Sequence, residues 1–146
     1  MGSFKDNIMN SKCSKGGLEE YKKEELEQVT IGIFLHVTYN YKNIDLQWFS
    51  EIYCDSTLRY DSNNYECYTY HIGCGEALWY LGIENDLQKG NYPKSNTTYD
   101  YEFIRWLAAV YNKLELSKTE GINIAKEFPV NKLYEIYKRD GLEVNY

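Results

Sequence analysis

Cys54, Cys67, His71 and Cys74 are spaced C-x12-C-x3-H-x2-C and carry the ligand types of a structural zinc site. Thiolates and imidazole suit a tetrahedral divalent ion. Zinc knuckles, however, usually hold two ligands on one tight turn as C-x2-C, and this pattern has no such pair. Cys67, His71 and Cys74 would share a face only on a helix, whereas the surrounding "STLRYDSNNYECYTYHIG" alternates like a strand. Thiols without a common ligand are the competing reading, and no cofactor is expected.

The second chemistry is a thiol nucleophile. In "YHIGCGEALWYLG", residues 70–82, a cysteine flanked by glycines precedes a short apolar helix. A cysteine at a helix N-terminus sees the dipole and unpaired amides, both of which stabilise thiolate. "GCGEALWYLG" resembles the segment around the nucleophile of papain-like cysteine peptidases and acyltransferases, over about ten residues. The resemblance implies Cys74 as nucleophile and a histidine base later in the chain. No histidine follows position 74; the two present are His36 and His71, and His71 lies three residues upstream. The catalytic alternative therefore rests on Cys74 with His71, or on His36 brought in by the fold. The structural alternative makes Cys74 a small packed residue and uses Gly73, Gly75 and Gly82 to shape a turn and a helix end.

Other reaction classes lack their motifs. The G-x-G of "GCGEALWYLG" has neither the third glycine nor the following acidic residue of a dinucleotide fingerprint, and no H-E-x-x-H, D-x-D-x-D-G or G-x-S-x-G occurs. "IAKEFPVNK" is similar to the centre of a helix-turn-helix, which would make residues 117–139 a DNA-binding unit. Pro129 stands where that turn commonly wants a glycine at positive φ, and the region is charge-neutral with no basic stripe.

Binding is the remaining class. The net charge is −6, and it resides in the centre: residues 28–116 carry six basic and eleven acidic side chains, while the flanks nearly balance. Such a chain repels a phosphate backbone and attracts a basic partner. Eleven of the sixteen tyrosines lie between Tyr39 and Tyr101. AT-rich codon usage is one source of this bias, and a recognition surface is the other, because tyrosine offers stiff amphipathic area at low entropic cost. Tyr65, Tyr68, Tyr70, Trp79, Tyr80, Tyr92, Tyr99 and Tyr101 flank the acidic excess. Asp61, Glu66, Tyr65, Tyr68, Tyr70, Tyr92 and Tyr99 are the expected partner-binding residues. The alternative places Trp48, Trp79 and Trp106 in the core with the tyrosines on its rim.

The elements that must position these groups read mainly as helices. Residues 1–17 are polar and aperiodic and read as a flexible lead-in to one globular unit over 18–146. "LEEYKKEELEQ" is helical and runs into "VTIGIFLHVTYN", whose residues 29–39 fit both a strand and a helical stripe. A short echo favours helix: "FLHVTYNYKNID" aligns with "WLAAVYNKLELS" at an offset of 72 residues. The second copy follows the helical rule through Phe103, Trp106, Leu107, Val110, Tyr111 and Leu114. Asp45 and Ser117 then cap the next helices, the second through a capping box with Glu120. Pro129 opens a last helix with Leu133, Ile136 and Tyr137 inward and Gly141 as its stop. The middle reads as a small hairpin turning at Asp61 to Asn64 or as an irregular loop.

The expected fold is thus mainly α, a compact helical domain, with α+β as the alternative if the hairpin forms. No run approaches the roughly 18 apolar residues of a membrane helix, and no signal-peptide core is seen, so the expected location is cytoplasmic. The expected function is that of a small acidic, aromatic-rich binding protein that occupies a basic protein surface. Inhibitors, immunity proteins and antitoxins of bacteria or phages share this composition.

Overall fold

A computed structural model describes residues 19–56, 73–114 and 123–140. The lead-in, the tyrosine-rich segment 57–72, where a hairpin or loop is expected, and the Ser117 capping box lie outside the described residues. The architecture is mainly α. Seven helices are described: α1 Glu19–Asn40, α2 Leu46–Cys54, α3 Cys74–Tyr80, α4 Glu84–Gln88, α5 Tyr101–Lys113, α6 Ile124–Glu127 and α7 Val130–Asp140. The one extended pairing among the described residues is an isolated antiparallel bridge between Ile44 and Lys94.

The ambiguous stretch 29–39 is helical, inside α1. Leu26, Thr30, Ile33, Phe34 and Val37 are buried at helical spacing. Ile31 is buried as well, because α1 packs on α5 along its length and also meets α3. A helix covered on two sides carries apolar residues on both, which is why its sequence alternates as well as spirals.

Partners are matched across the chain: α1 packs on α5, and α2 packs on α6. These are the helix pairs that the 72-residue echo brings into correspondence. Local signals set their starts. Asp45 accepts a hydrogen bond from the Trp48 amide at 3.1 Å and opens α2, and Asp100 accepts from Phe103 at 2.7 Å and opens α5. α6 starts later than the sequence suggests: Asn123 caps it, accepting from the Ala125 amide at 2.9 Å.

The core centres on rings. Phe34 meets Phe49 and Tyr53 edge-on at 5.1 and 5.3 Å, and Tyr111 closes the group. A second cluster joins Phe103, Trp106, Tyr134 and Tyr137 between α5 and α7. One buried polar node sits where α1, α2 and α5 meet. The Thr30 hydroxyl donates to the Leu26 carbonyl at 2.9 Å, and its oxygen accepts from Tyr53 at 3.0 Å and from the Asn112 amide at 3.1 Å. One donor and two lone pairs are thereby all used.

Candidate functional site

α3 is the short helix anticipated after Gly73. Its inner face is Cys74, Ala77, Leu78 and Leu81, packed on or within the core at i, i+3, i+4 and i+7. Gly82 ends it at φ +75°, with the Gly82 amide donating to the Trp79 carbonyl and the Ile83 amide to the Leu78 carbonyl. That is a Schellman termination, which calls for glycine at the left-handed position. The inner face leaves Glu76, Trp79 and Tyr80 pointing outward. Trp79 is 65% exposed, so it does not belong to the core where one reading of the sequence placed it; Trp106 does, and Trp48 is half-buried. Trp79 and Tyr80 meet edge-on at 5.2 Å.

Beside this pair lies a groove of about 430 Å³ walled by Trp48, Glu51 and Ile52 of α2, its C-terminal cap Asp55, Tyr80 and Leu81, with Asn123 and Lys126 at its far side. Trp48, Glu51, Ile52 and Asp55 recur at helical spacing and so form one strip along α2 and its cap. Glu51 is oriented by Gln47, whose amide nitrogen donates to its carboxylate at 2.8 Å. Among the described residues, Glu51, Asp55, Glu76, Glu84 and Asp86 form no ion pair. Residues 73–88 contain no lysine or arginine. The result is an aromatic surface bordered by carboxylates that form no ion pair among the described residues, with Lys126 across the groove.

The thiol is not primed. Cys74 is half-buried, its sulfhydryl donates to the Gly32 carbonyl at 3.6 Å, and burial pushes its pKa up. An activated cysteine needs the opposite shift. His36 holds its Nδ1 against the Asn40 side-chain nitrogen at 3.1 Å. His71, the other proposed base, lies outside the described residues.

Of the four zinc-ligand candidates, Cys54 is buried in α2 and Cys74 stands at the start of α3, while Cys67 and His71 fall outside the described residues. Among the described residues no three metal-ligating side chains come together.

The expected partner residues divide. Tyr65, Tyr68, Tyr70, Asp61 and Glu66 lie outside the described residues. Tyr92 and Tyr99 are half-buried and hold the 91–100 segment in place. The Tyr92 hydroxyl donates to the Lys42 carbonyl at 2.9 Å, and Tyr99 meets Phe103 and Tyr134 at 5.1 and 4.9 Å. Sequence reasoning passed over Trp48, Glu51 and Asp55 as a surface strip. The signal was present: with Phe49 and Tyr53 buried in the core, the spacing sets positions 48, 51, 52 and 55 along its edge, where Trp48 and Ile52 still pack against it and Asp55 is exposed.

The α6–α7 corner differs from a helix-turn-helix. Only Phe128 and Pro129 separate the helices, Phe128 has φ −124°, and α6 is four residues long. The first amide of α7, that of Val130, donates to Gln47 at 2.7 Å and is turned into the protein.

No family model, no curated protein and no solved structure matches this chain. Among the described residues, no helix is long and apolar enough to cross a membrane.

Proposed function

We propose that this protein is a non-enzymatic binding protein that occupies a basic surface of another protein, and that it does so through the Trp79, Tyr80 and Trp48 surface with its Glu51, Asp55 and Glu76 carboxylates. The observation that carries this reading is Trp79, held 65% exposed on a helix closed by a Schellman turn, beside carboxylates that form no ion pair among the described residues. An exposed tryptophan forgoes about 1.5–3 kcal/mol of burial, which a partner can recover. Tryptophan, tyrosine and arginine dominate the energetics of interfaces, and an arginine over an indole face beside carboxylates gains cation–π attraction and charge pairing together. Inhibitors and immunity proteins act in this manner, by covering a basic site on their targets.

Titration with an arginine-rich peptide, followed by amide and indole NMR shifts, tests the reading. The expected outcome is saturable shifts at Trp48, Glu51, Asp55, Trp79 and Tyr80 that weaken with added salt. Shifts confined to other faces, or equal shifts with a glutamate-rich peptide of the same length, count against it.

A further inference from the structure

A second cleft, of about 490 Å³, opens between the C-terminal half of α1, the α1–α2 turn and the 97–104 segment. Leu35, Ile44, Leu46 and Ile104 form its walls, and the rings of Tyr39 and Tyr101 stand at its mouth, 89% and 59% exposed. About one residue in four of the chain is charged (26%), yet among the described residues no aspartate, glutamate, lysine or arginine lines this cleft.

The cleft is built rather than incidental. The α1–α2 turn is fixed by Asn43 at φ +61°, and two backbone bonds tie it to the opposite wall: the Ser95 amide donates to the Asn43 carbonyl at 2.8 Å and the Asp45 amide to the Pro93 carbonyl at 2.9 Å. The polar side chains of the lining are uncharged amides, hydroxyls and one imidazole: His36, Thr38, Asn40, Asn43, Thr97 and Thr98. The Asn40 side-chain nitrogen donates to His36 Nδ1 at 3.1 Å, which makes Nδ1 the acceptor and leaves the ring proton on Nε2. The imidazole thus retains one donor. The volume and the combination of aliphatic and aromatic walls with uncharged polar groups match small-molecule sites in general.

We infer that this cleft binds a flat, uncharged aromatic small molecule that carries one hydroxyl or carbonyl oxygen. The absence of ionic side chains selects against a charged ligand, whose desolvation nothing in the lining would offset. The rings of Tyr39, Tyr99 and Tyr101 offer aromatic contact, and the oxygen matches the His36 donor and the threonine hydroxyls.

The test compares 2-naphthol with naphthalene-2-sulfonate, the same ring with a fixed charge, by amide NMR titration of the full chain. 2-Naphthol is expected to shift the amides of Leu35, His36, Thr97, Thr98 and Tyr101 saturably, with the sulfonate at least about tenfold weaker, a difference of about 1.4 kcal/mol. Leu35→Trp should fill the cleft and weaken 2-naphthol about tenfold or more. Because Leu35 packs against the core, Thr98→Trp at an exposed lining position is the second variant, with the same expected loss and an unchanged melting temperature. Equal binding of the two probes, shifts centred on Trp79 and Tyr80, full retention by Thr98→Trp, or no saturable shift up to the solubility of 2-naphthol would overturn the inference.

Discussion

Gln47 on α2 closes the corner between α6 and α7 by binding Val130: its side-chain oxygen accepts from the Val130 amide at 2.7 Å while its nitrogen donates to the Ala125 carbonyl at 2.9 Å. One amide group thus replaces the backbone partners that two helix ends lack at a break imposed by Pro129. Asn123 anchors the same corner from the other side, donating to the Glu51 carbonyl at 2.8 Å. Gln47→Ala leaves part-buried backbone groups unsatisfied and is expected to cost about 2 kcal/mol. Urea denaturation measures it, and a loss below about 0.5 kcal/mol would mean that water replaces the clamp without penalty.

Tyr111 ties the corner to α5, its hydroxyl donating to the Phe128 carbonyl at 2.7 Å. Burial raises its pKa far above the ordinary tyrosine value. In the unfolded chain the phenol ionises near pH 10, whereas in the folded protein it stays protonated. Its contribution is therefore complete below about pH 10 and is lost as pH rises beyond that. Tyr111→Phe should lower stability by about 1 kcal/mol at neutral pH and flatten the fall of Tm above pH 10. Parallel slopes for wild type and variant would contradict this.

Two buried hydroxyls give opposite expectations. Thr30 is fully buried and its hydroxyl fully used, bridging Leu26, Tyr53 and Asn112, so Thr30→Val is expected to destabilise by about 2 kcal/mol. The Ser50 hydroxyl is buried and makes no hydrogen bond among the described residues. Ser50→Ala should be neutral or stabilising, since it removes a desolvated polar group with no partner. Thermal denaturation of the pair ranks them; equal losses would refute the assignment.

Cys74 should behave as a protected thiol. Burial raises its pKa, so at neutral pH less of it is thiolate than in a free cysteine. Iodoacetamide is expected to label it more slowly than a free model thiol at pH 7–8, with the gap closing only at higher pH. Site-resolved mass spectrometry reads the rate at Cys74 apart from the other cysteines. Faster labelling than the free thiol would restore the nucleophile reading.

One helix start was legible from its capping side chain, Asp45, whereas the Asn123 cap of α6 was not. Asp45 caps as its position suggests, and Phe103, Trp106, Leu107 and Tyr111 of the α5 stripe are buried as their spacing requires. Residues 29–39 were ambiguous because periodicity reports one-sided burial and α1 is covered on two sides. The candidate site was legible only in its chemistry, as acid plus aromatic. Its location was hidden, since tyrosine fits a rim, a core and a loop clasp equally well. Tyr92 and Tyr99 became clasps, while Trp79, the largest apolar side chain on α3, faces outward. The Gln47 clamp spans 83 residues of sequence, and no local pattern records such a contact.

The most direct measurement of the central claim is affinity capture from a lysate with three baits in parallel: wild type, Trp79→Ala and Thr98→Trp. One basic protein is expected to be retained by wild type and by Thr98→Trp, released by salt, and lost from Trp79→Ala. A partner retained equally by Trp79→Ala, or one that is acidic, would contradict it.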